Sequence, residues 1–445
     1  MNNTAIHHYC DSYKSLKGSL PGKALNWLAQ SRDDAIEQFS DSGLPGTQQE
    51  DWKYTSVRSI EKRLFKPADS FCVGLDLDDI EDYLIAGLDT HLLTFLNGRF
   101  TPQLSKPGKL ADGIIINNLA KAFTEHAELL ETHLNRYANT EANGFTSLNT
   151  AFINDGALIF LPNNTVIEKP VQLLFLSTSQ DQETVAHNRV LVVAGQNSQA
   201  TLIESYASMG NNHYLNNMLT EISLAPNAVL THYKLQHEST KAFHISMLEV
   251  RQAKDSQFTS HSVSLGAQLA RHDINIHLDG EGADCTLNGL YVTDGKQHVD
   301  YHTNVEHAKP NGASREYYKG ILDGRSRAVF NGRVHVHQDA QKTDAEQSNK
   351  NLLLSRDAEI DTKPQLEIFA DDVKCSHGAA IGQLDENMLF YLRARGISED
   401  AARALLTWGF AHDIIERMSL EPVQKWLEKI MVNTLPGTGQ LEDIA

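Results

Sequence analysis

One pattern of turn residues followed by apolar or β-branched residues recurs along the chain as Ser198-Gln-Ala-Thr-Leu-Ile203, Pro226-Asn-Ala-Val-Leu-Thr231 and Lys254-Asp-Ser-Gln-Phe-Thr259. It returns in Glu281-Gly-Ala-Asp-Cys-Thr286, Arg325-Ser-Arg-Ala-Val-Phe330 and Arg356-Asp-Ala-Glu-Ile-Asp361. The third residues of these six segments, at positions 200, 228, 256, 283, 327 and 358, are separated by 28, 28, 27, 44 and 31 residues. We interpret each step as one coil of a repeating fold, with an insertion around Thr293 to Arg315 accounting for the longest step.

This spacing predicts a mainly β fold, a solenoid over residues 144–383. Stacking successive coils about 4.8 Å apart buries a column of inward-facing side chains that no single coil could bury alone. The pairing between coils is then parallel. A β-sandwich is the alternative, but it predicts turn signals every 8 to 12 residues and short hairpins.

The regions on either side of the repeats have helical periodicity. Residues 1–143 are predicted to be mostly helical, with amphipathic patterns over Lys23 to Phe39 and over Leu119 to Tyr137. Between these patterns, Leu92 to Phe100 predicts two short strands around an Asn97-Gly98 turn.

Residues 384–445 predict a C-terminal helical domain. Three helices are expected, beginning near Asp385, near Ser398 and near Pro422. Their wide apolar surface either caps the solenoid or docks onto another subunit. The side chains that we assign to partner docking are Leu405, Leu406, Trp408, Phe410 and Trp426.

Composition excludes several classes of function. The 445 residues carry 39 basic and 57 acidic side chains, and the resulting charge of -18 repels phosphate backbones and anionic lipid. We therefore expect no nucleic-acid or membrane partner.

The sequence has neither a signal-peptide pattern nor an apolar run long enough to span a membrane. Its four scattered cysteines, Cys10, Cys72, Cys285 and Cys375, do not form a disulfide framework, which favours the reducing cytoplasm.

The sequence contains no phosphate-binding Gly-x-x-x-x-Gly-Lys-[Ser/Thr] loop, no Gly-x-Ser-x-Gly nucleophile elbow and no His-Glu-x-x-His zinc helix. These absences argue against ATP hydrolysis and two common hydrolase mechanisms.

A β-helical polysaccharide lyase or hydrolase is the enzymatic alternative, with Asp294, Asp300 and Glu306 as its candidate carboxylates. The missing export signal argues against it. A structural spacer is a further alternative, in which Cys375 and His377 would be dispensable.

The chemistry of the chain is expected in Glu367-Ile-Phe-Ala-Asp-Asp-Val-Lys-Cys-Ser-His-Gly378. On an extended strand Cys375 and His377 point to the same side, as a thiolate and an imidazole must to bind one metal. Because zinc and iron–sulfur sites usually need four protein ligands, this pair requires further ligands from elsewhere. The other interpretation is that Cys375 packs inside the last coil and His377 caps a turn.

Other histidines and cysteines give weaker signals. His335 and His337 would lie on one side of a strand, and His298, His302 and His307 fall in the expected insertion. Single histidines are more often packed or surface groups than metal ligands. Cys10 and Cys72 have no neighbouring partner in the sequence, and Cys285 is expected to be a buried thiol.

Several motifs resemble the SufB/SufD family of the bacterial Suf iron–sulfur cluster assembly machinery, and in particular its SufD branch. They extend from about residue 50 to residue 410. The longest are Ala370-Asp-Asp-Val-Lys-Cys-Ser-His-Gly378 and Leu389-Phe-Tyr-Leu-Arg-Ala-Arg-Gly-Ile397. The others are Glu50-Asp-Trp-Lys-Tyr-Thr55, Asn97-Gly-Arg-Phe100, Leu148-Asn-Thr-Ala151 and Ile167-Glu-Lys-Pro-Val171.

The resemblance implies a right-handed parallel β-helix between an N-terminal helical region and a C-terminal helical domain. It also implies a non-catalytic scaffold that pairs edge to edge with the paralogue SufB and binds the ATPase SufC through its C-terminal helices. By motif match, His377, with Cys375 beside it, would lie at the paralogue interface and help to build a transient nascent iron–sulfur cluster. Reduced flavin is implied for the assembled complex, with none bound by this chain alone.

The paralogue SufB is the alternative within the same machinery. It is usually longer and richer in cysteine, and this chain lacks its closely spaced N-terminal cysteine group, so the SufD branch is preferred. The sequence leaves open whether the chain pairs with a paralogue or, when isolated, with itself as a homodimer.

Overall fold

The computed structural model describes residues 3–68, 74–139, 143–178 and 183–435. The N-terminal region contains six α-helices and four short strands within these ranges. The helices are α1 (Asn3–Leu16), α2 (Asn26–Ser42), α3 (Arg58–Glu61), α4 (Leu119–Glu125), α5 (Ala127–His133) and α6 (Gly144–Ala151), and the strands are β1 (Lys66–Pro67), β2 (His91–Leu96), β3 (Arg99–Phe100) and β4 (Ile115–Asn118). The predicted hairpin around Asn97-Gly98 is confirmed as β2 and β3.

A parallel β-solenoid of about eight coils follows, which confirms the predicted fold class. Its strands are β5 (Asp155–Leu161), β6 (Val171–Ser177), β7 (Thr184–Ala186), β8 (Asn188–Ala194), β9 (Gln199–Ser208), β10 (Tyr214–Leu224), β11 (Val229–Glu238), β12 (Phe243–Gln252), β13 (Gln257–Gly266), β14 (Leu269–Leu278), β15 (Asp284–Thr293), β16 (His298–His307), β17 (Ala313–Leu322), β18 (Arg327–Val336), β19 (Asp344–Leu353), β20 (Glu359–Ile368) and β21 (Lys374–Gly382).

The strands alternate between two sheets. Sheet A has the order β20-β18-β16-β14-β12-β10-β8-β5-β4, with β1 and β7 at its side, and sheet B has the order β21-β19-β17-β15-β13-β11-β9-β6-β2-β3. All pairings between coils are parallel. Among the described residues, antiparallel strand pairs occur only where β3 joins β2 and β4 joins β5, at the N-terminal end. This arrangement excludes the β-sandwich alternative.

The predicted insertion around Thr293 to Arg315 is wrong. This stretch holds the whole of the regular strand β16 and the start of β17, both of which are ten residues long. The 44-residue step joins Ala283, which precedes a sheet B strand, to Arg327, which begins a sheet A strand. Asp284 pairs with Ala313, which lies one coil and 29 residues later. The 44-residue step therefore spans about one and a half coils. Similar turn residues precede the strands of both sheets, so the repeat alignment moved from one sheet to the other.

Asparagines hold one row of turns in register. Asn164, Asn197 and Asn227 occupy equivalent places in successive coils with φ of 60°, 56° and 59°, a left-handed conformation that asparagine tolerates better than most residues. Asn197 Nδ2 donates to Asn164 Oδ1 at 2.8 Å, and Asn227 Nδ2 donates to Asn197 Oδ1 at 2.9 Å. Each coil is thereby tied to the preceding one outside the sheet ladder.

The interior of the solenoid contains both apolar and polar side chains. Glu204, Lys234 and Glu238 are buried there. The Lys234 ammonium lies 4.3 Å from the ring centre of Tyr206, whose hydroxyl donates to Glu204. Burial lowers the pKa of Lys234 to about 8, although both carboxylates act to raise it. Inward positions of a β-solenoid are expected to be apolar, so sequence patterning did not predict these buried charges.

Three helices complete the chain within the described residues: α7 (Glu386–Ala394), α8 (Glu399–Ile415) and α9 (Glu421–Thr434). They match the three helices predicted from the sequence. Apolar residues of α8 and α9 pack against the outer face of sheet B, where Tyr233 Oη also lies 3.0 Å from Ser419 Oγ. No helix in the described ranges is long and apolar enough to cross a membrane.

Candidate functional site

Cys375 and His377 lie on β21, the last strand of sheet B. One side of this strand pairs with β19, placing Cys375 beside Ala345 and His377 beside Gln347. Ala345 and Gln347 both occupy buried positions that face the interior of the solenoid. Cys375 and His377 therefore point to the same side, toward the open end of the core. In the part of the chain that the structure describes, no strand pairs with the other side of β21.

The two side chains have different environments. Cys375 is half-buried and packs in a small apolar cluster that includes Ala345 and Ala370. This burial raises the pKa of the Cys375 thiol, with a further increase from Asp344. The thiol is therefore protonated at neutral pH and must lose its proton before it can bind a metal. His377 is exposed, and no described residue donates a hydrogen bond to its imidazole or accepts one from it.

Ligands for a complete metal site are not assembled. Among the residues that the structure describes, no group of three or more histidine, cysteine, aspartate or glutamate side chains could hold a metal ion. His335 lies on β18 of sheet A, and His337 directly follows this strand. Both contact carboxylates, with His335 Nδ1 3.0 Å from Glu367 Oε2 and His337 Nε2 2.5 Å from Glu306 Oε1. They do not converge with Cys375 and His377 on one ion.

The other histidines and cysteines singled out from the sequence have structural environments. His298 and His302 flank the buried Asp300 carboxylate, with His302 Nε2 3.1 Å from Asp300 Oδ1, and His307 is buried in the core. Cys285 is a buried core thiol, as predicted. Cys10 is half-buried in the N-terminal region, and Cys72 lies outside the described residues.

The carboxylates of the polysaccharide-lyase alternative do not form a catalytic group. Asp300 and Glu306 lie six residues apart on the same strand, β16, which corresponds to about 20 Å. Asp294 lies in the turn that precedes this strand. Asp300 is buried and paired with Arg271 Nη1 at 2.7 Å. Paired catalytic carboxylates in glycoside hydrolases are separated by roughly 5–10 Å, so this geometry gives no support to that chemistry.

Exposed apolar side chains occur at and just after the end of β20, on β21 and on helix α7. Phe369, which follows β20, is 61% exposed, and Ile381 on β21 is 52% exposed. Helix α7 adds Phe390, which is 74% exposed, together with Met388 and Tyr391. We call these residues, with Ile368, the end face. Exposed apolar side chains beside an unpaired strand are typical of a protein interface.

The five predicted docking residues occupy a different surface. Each is half-buried on α8 or α9. Three of them, Trp408, Phe410 and Trp426, pack against the cluster that joins these helices to sheet B. The sequence did not lead us to assign the more exposed residues of α7 to docking, although the predicted helix from Asp385 to Arg395 carries apolar residues around much of its circumference.

Comparison with known proteins gives a consistent assignment. Residues 175–410 match the profile described as the SufBD core domain of the SUF system for FeS cluster assembly, and residues 3–173 match that of the SufBD protein N-terminal region. The chain belongs to the SufBD family. A SufBD family iron–sulfur cluster assembly protein of Synechocystis sp. is 36% identical over 89% of both chains.

Two relatives described as iron–sulfur cluster assembly protein SufD support the SufD branch of the SufBD family. The Escherichia coli protein is 31% identical over 90% of this chain and 92% of its own length. The Bacillus subtilis protein is 27% identical over 91% of this chain and 93% of its own length. The chain is thus a SufD-type component of Suf-system iron–sulfur cluster assembly.

Proposed function

We propose that this SufBD family member is a non-catalytic scaffold subunit that contributes His377 and Cys375 to a nascent iron–sulfur cluster, at an interface with a SufB-type paralogue. The cluster is transient cargo. The observation that carries the proposal is the position of a same-sided thiol and imidazole on an edge strand that lacks a described partner on one side.

The edge explains why a second chain is needed. An unpaired strand presents backbone N–H and C=O groups that a strand of another protein can satisfy. A paralogous solenoid has a matching strand spacing, and its edge can bring the remaining ligands of a four-ligand cluster next to His377. The end face supplies the apolar surface that such an association would bury.

ATP hydrolysis is assigned to a separate SufC-type ATPase, because this sequence has no phosphate-binding loop. The C-terminal helices remain the proposed docking element for that partner, through Leu405, Leu406, Trp408, Phe410 and Trp426. Reduced flavin is assigned to the assembled complex and not to this chain. The reducing cytoplasm is the proposed compartment, because the cysteines are few and scattered.

The decisive experiment co-expresses the chain with its SufB-type and SufC-type partners and measures iron and acid-labile sulfide in the purified complex. His377→Ala should abolish cluster accumulation while both partners still copurify. His335→Ala, which removes a histidine on sheet A, is the matched control and should retain the cluster. Normal iron and sulfide content in the His377→Ala complex would defeat the proposal.

A second variant separates assembly from ligation. Ile381→Lys places a charge on the end face without changing Cys375 or His377, so it should prevent copurification of the SufB-type partner. If this partner copurifies in normal amounts with Ile381→Lys, the end face is not the interface, whatever the outcome at His377.

A further inference from the structure

A cavity of about 610 Å³ lies between helix α1 and the N-terminal end of the solenoid, away from the end face. Helix α1 forms one wall, and β1, the β2–β3 turn and β7 form the others. This volume is within the range of small-molecule sites, which is roughly 300–1,000 Å³. The scaffold function proposed above does not use it.

The wall opposite α1 is rigid. Asn97 Nδ2 donates to Thr178 Oγ1 at 2.7 Å, and Asn188 Nδ2 donates to the Gly98 carbonyl at 2.9 Å. Gly98 has a φ of 82°, and a Cβ there would stand only 2.8 Å from Ala186 Cβ. The turn is therefore held against β7 and β8, and the cavity wall is formed before any ligand binds.

The cavity is positively charged in a strongly acidic chain. Lys66 and Arg99 both line it, and within the described residues neither forms an ion pair with a carboxylate. Arg99 Nη1 donates to the neutral side chain of Asn154 at 2.9 Å. The acidic group in the lining, Asp11, is already 3.0 Å from Lys14. Two cations without acidic partners in a concave site favour an anion.

A buried imidazole lies behind this wall. His187 Nδ1 lies 3.0 Å from Asn217 Nδ2, which must be the donor, so the ring proton is on Nε2. Among the described residues, nothing accepts a hydrogen bond from His187 Nε2. Burial lowers the pKa of His187 to about 3, so the ring stays neutral at physiological pH. Its ring stacks on Phe152, with 5.2 Å between centroids.

The lining thus combines cations with apolar surface. Leu16 and Leu20 from the α1 side, Phe152, and Val185 of β7 supply the apolar part. We propose that this cavity binds a small organic anion, whose carboxylate or phosphate group is held between Lys66 and Arg99 and whose apolar remainder packs against Leu16, Leu20 and Phe152. Both head groups suit a lysine and a guanidinium at one site.

The test uses the purified full-length chain and three probes that share a benzene ring and differ in the group attached to it: benzoate, phenyl phosphate and the neutral benzyl alcohol. Isothermal titration at constant ionic strength should show saturable one-to-one binding of at least one anion and none of the alcohol. Which anion binds more tightly identifies the head group. The double variant Lys66→Met/Arg99→Met should weaken binding about tenfold or more, because two charge-assisted hydrogen bonds are lost.

Two further variants make the result specific to the cavity. Lys254→Met/Arg325→Met removes an exposed lysine and an exposed arginine from turns of the solenoid and should leave binding unchanged. Ser15→Trp narrows the cavity from α1 while keeping both cations, and it should abolish binding without lowering the thermal unfolding midpoint. Absence of binding by both anions, or equal binding by wild type and the Lys66→Met/Arg99→Met variant, would overturn the proposal.

Discussion

The ring of Tyr318 lies against the Cα of Gly289, its register partner one coil earlier, so closely that a Cβ on Gly289 would collide with three ring atoms. The reverse arrangement occurs two residues further along the same strand pair, where Gly320 lies against the ring of Tyr291. Each buried tyrosine thus depends on a glycine in the neighbouring coil.

Gly289→Ala should therefore destabilise the solenoid by about 3 kcal/mol, because the added methyl group must displace a buried ring in a packed core. Denaturant unfolding followed by circular dichroism measures this loss. Gly409→Ala is the control, since no atom lies within 4 Å of a Cβ at this helical position and alanine favours the helix. Equal stability of Gly289→Ala and wild type would show that the ring can move freely.

Glu221 joins the N-terminal region to the solenoid. Its carboxylate accepts hydrogen bonds from Arg189 Nη2 at 2.7 Å and from the backbone N–H groups of Asn135, Tyr137 and Ala138. Because Arg189 and Glu221 are both fully buried, Glu221→Gln should cost roughly 3–5 kcal/mol by leaving a buried charge unpaired.

The matched control for Glu221 is Glu125→Gln, which breaks an exposed ion pair with Lys121 and should leave the unfolding midpoint unchanged. A similar effect of both substitutions on the midpoint would contradict the role assigned to the buried pair.

Glu316 should make stability depend on pH. Burial raises the pKa of this carboxyl to about 7, while a hydrogen bond that Gln347 Nε2 donates to Glu316 Oε1 at 3.0 Å acts to lower it. The folded chain therefore keeps the proton that the unfolded chain releases near pH 4.5, and stability falls as pH rises from 4.5 to 7. The loss is at most about 3 kcal/mol. Glu316→Gln should remove this pH-dependent loss. The stability of the variant relative to wild type should therefore be greater above pH 7 than below pH 4.5. Parallel pH profiles for the two proteins would refute this assignment.

Lys234 is expected to offset the buried carboxylates of Glu204 and Glu238. Lys234→Met should destabilise the chain by about 3 kcal/mol, because both carboxylates then remain buried without this cation. Adding Glu238→Gln to Lys234→Met should restore part of the loss, and a double-mutant cycle on unfolding free energies measures the coupling. Strict additivity of the two substitutions would show that the charges do not interact.

Substitutions of Phe390 on α7 and of Trp426 on α9 should differ in their effect on stability. Phe390→Ser, at a largely exposed position, should leave the unfolding midpoint unchanged but weaken copurification of the SufB-type partner. Trp426→Ala, at a position packed toward sheet B, should lower stability by about 2 kcal/mol. Loss of stability in Phe390→Ser with normal copurification would mean that the end face is structural.

Much of the fold followed from repeat spacing and periodicity. Asparagine and glycine turns at nearly constant intervals, such as those around Asn197 and Asn227, predicted parallel coils because each coil must satisfy the same backbone geometry. The spacing could not show which sheet a repeat belonged to, since both sheets use similar turns. The step from Ala283 to Arg327 was misassigned for this reason.

The candidate site was only partly predictable. Strand alternation placed Cys375 and His377 on one side, and the position of β21 as the last strand left His377 exposed. Amphipathic patterning identified the apolar arc of α8 but not which part of it the solenoid covers, because that depends on residues such as Tyr233 and Leu265 far away in sequence. The buried charges around Lys234 were missed because alternation alone predicts an apolar interior.

The two ends of the solenoid differ, and this difference limits the size of any assembly. At the N-terminal end the short strands β3 and β4 run antiparallel to their neighbours, and the N-terminal helices pack beside them. The end with β20 and β21 is the one that we propose binds another chain. A molecule that can be extended in one direction is monovalent, so coil-on-coil association stops at a pair and does not propagate into filaments.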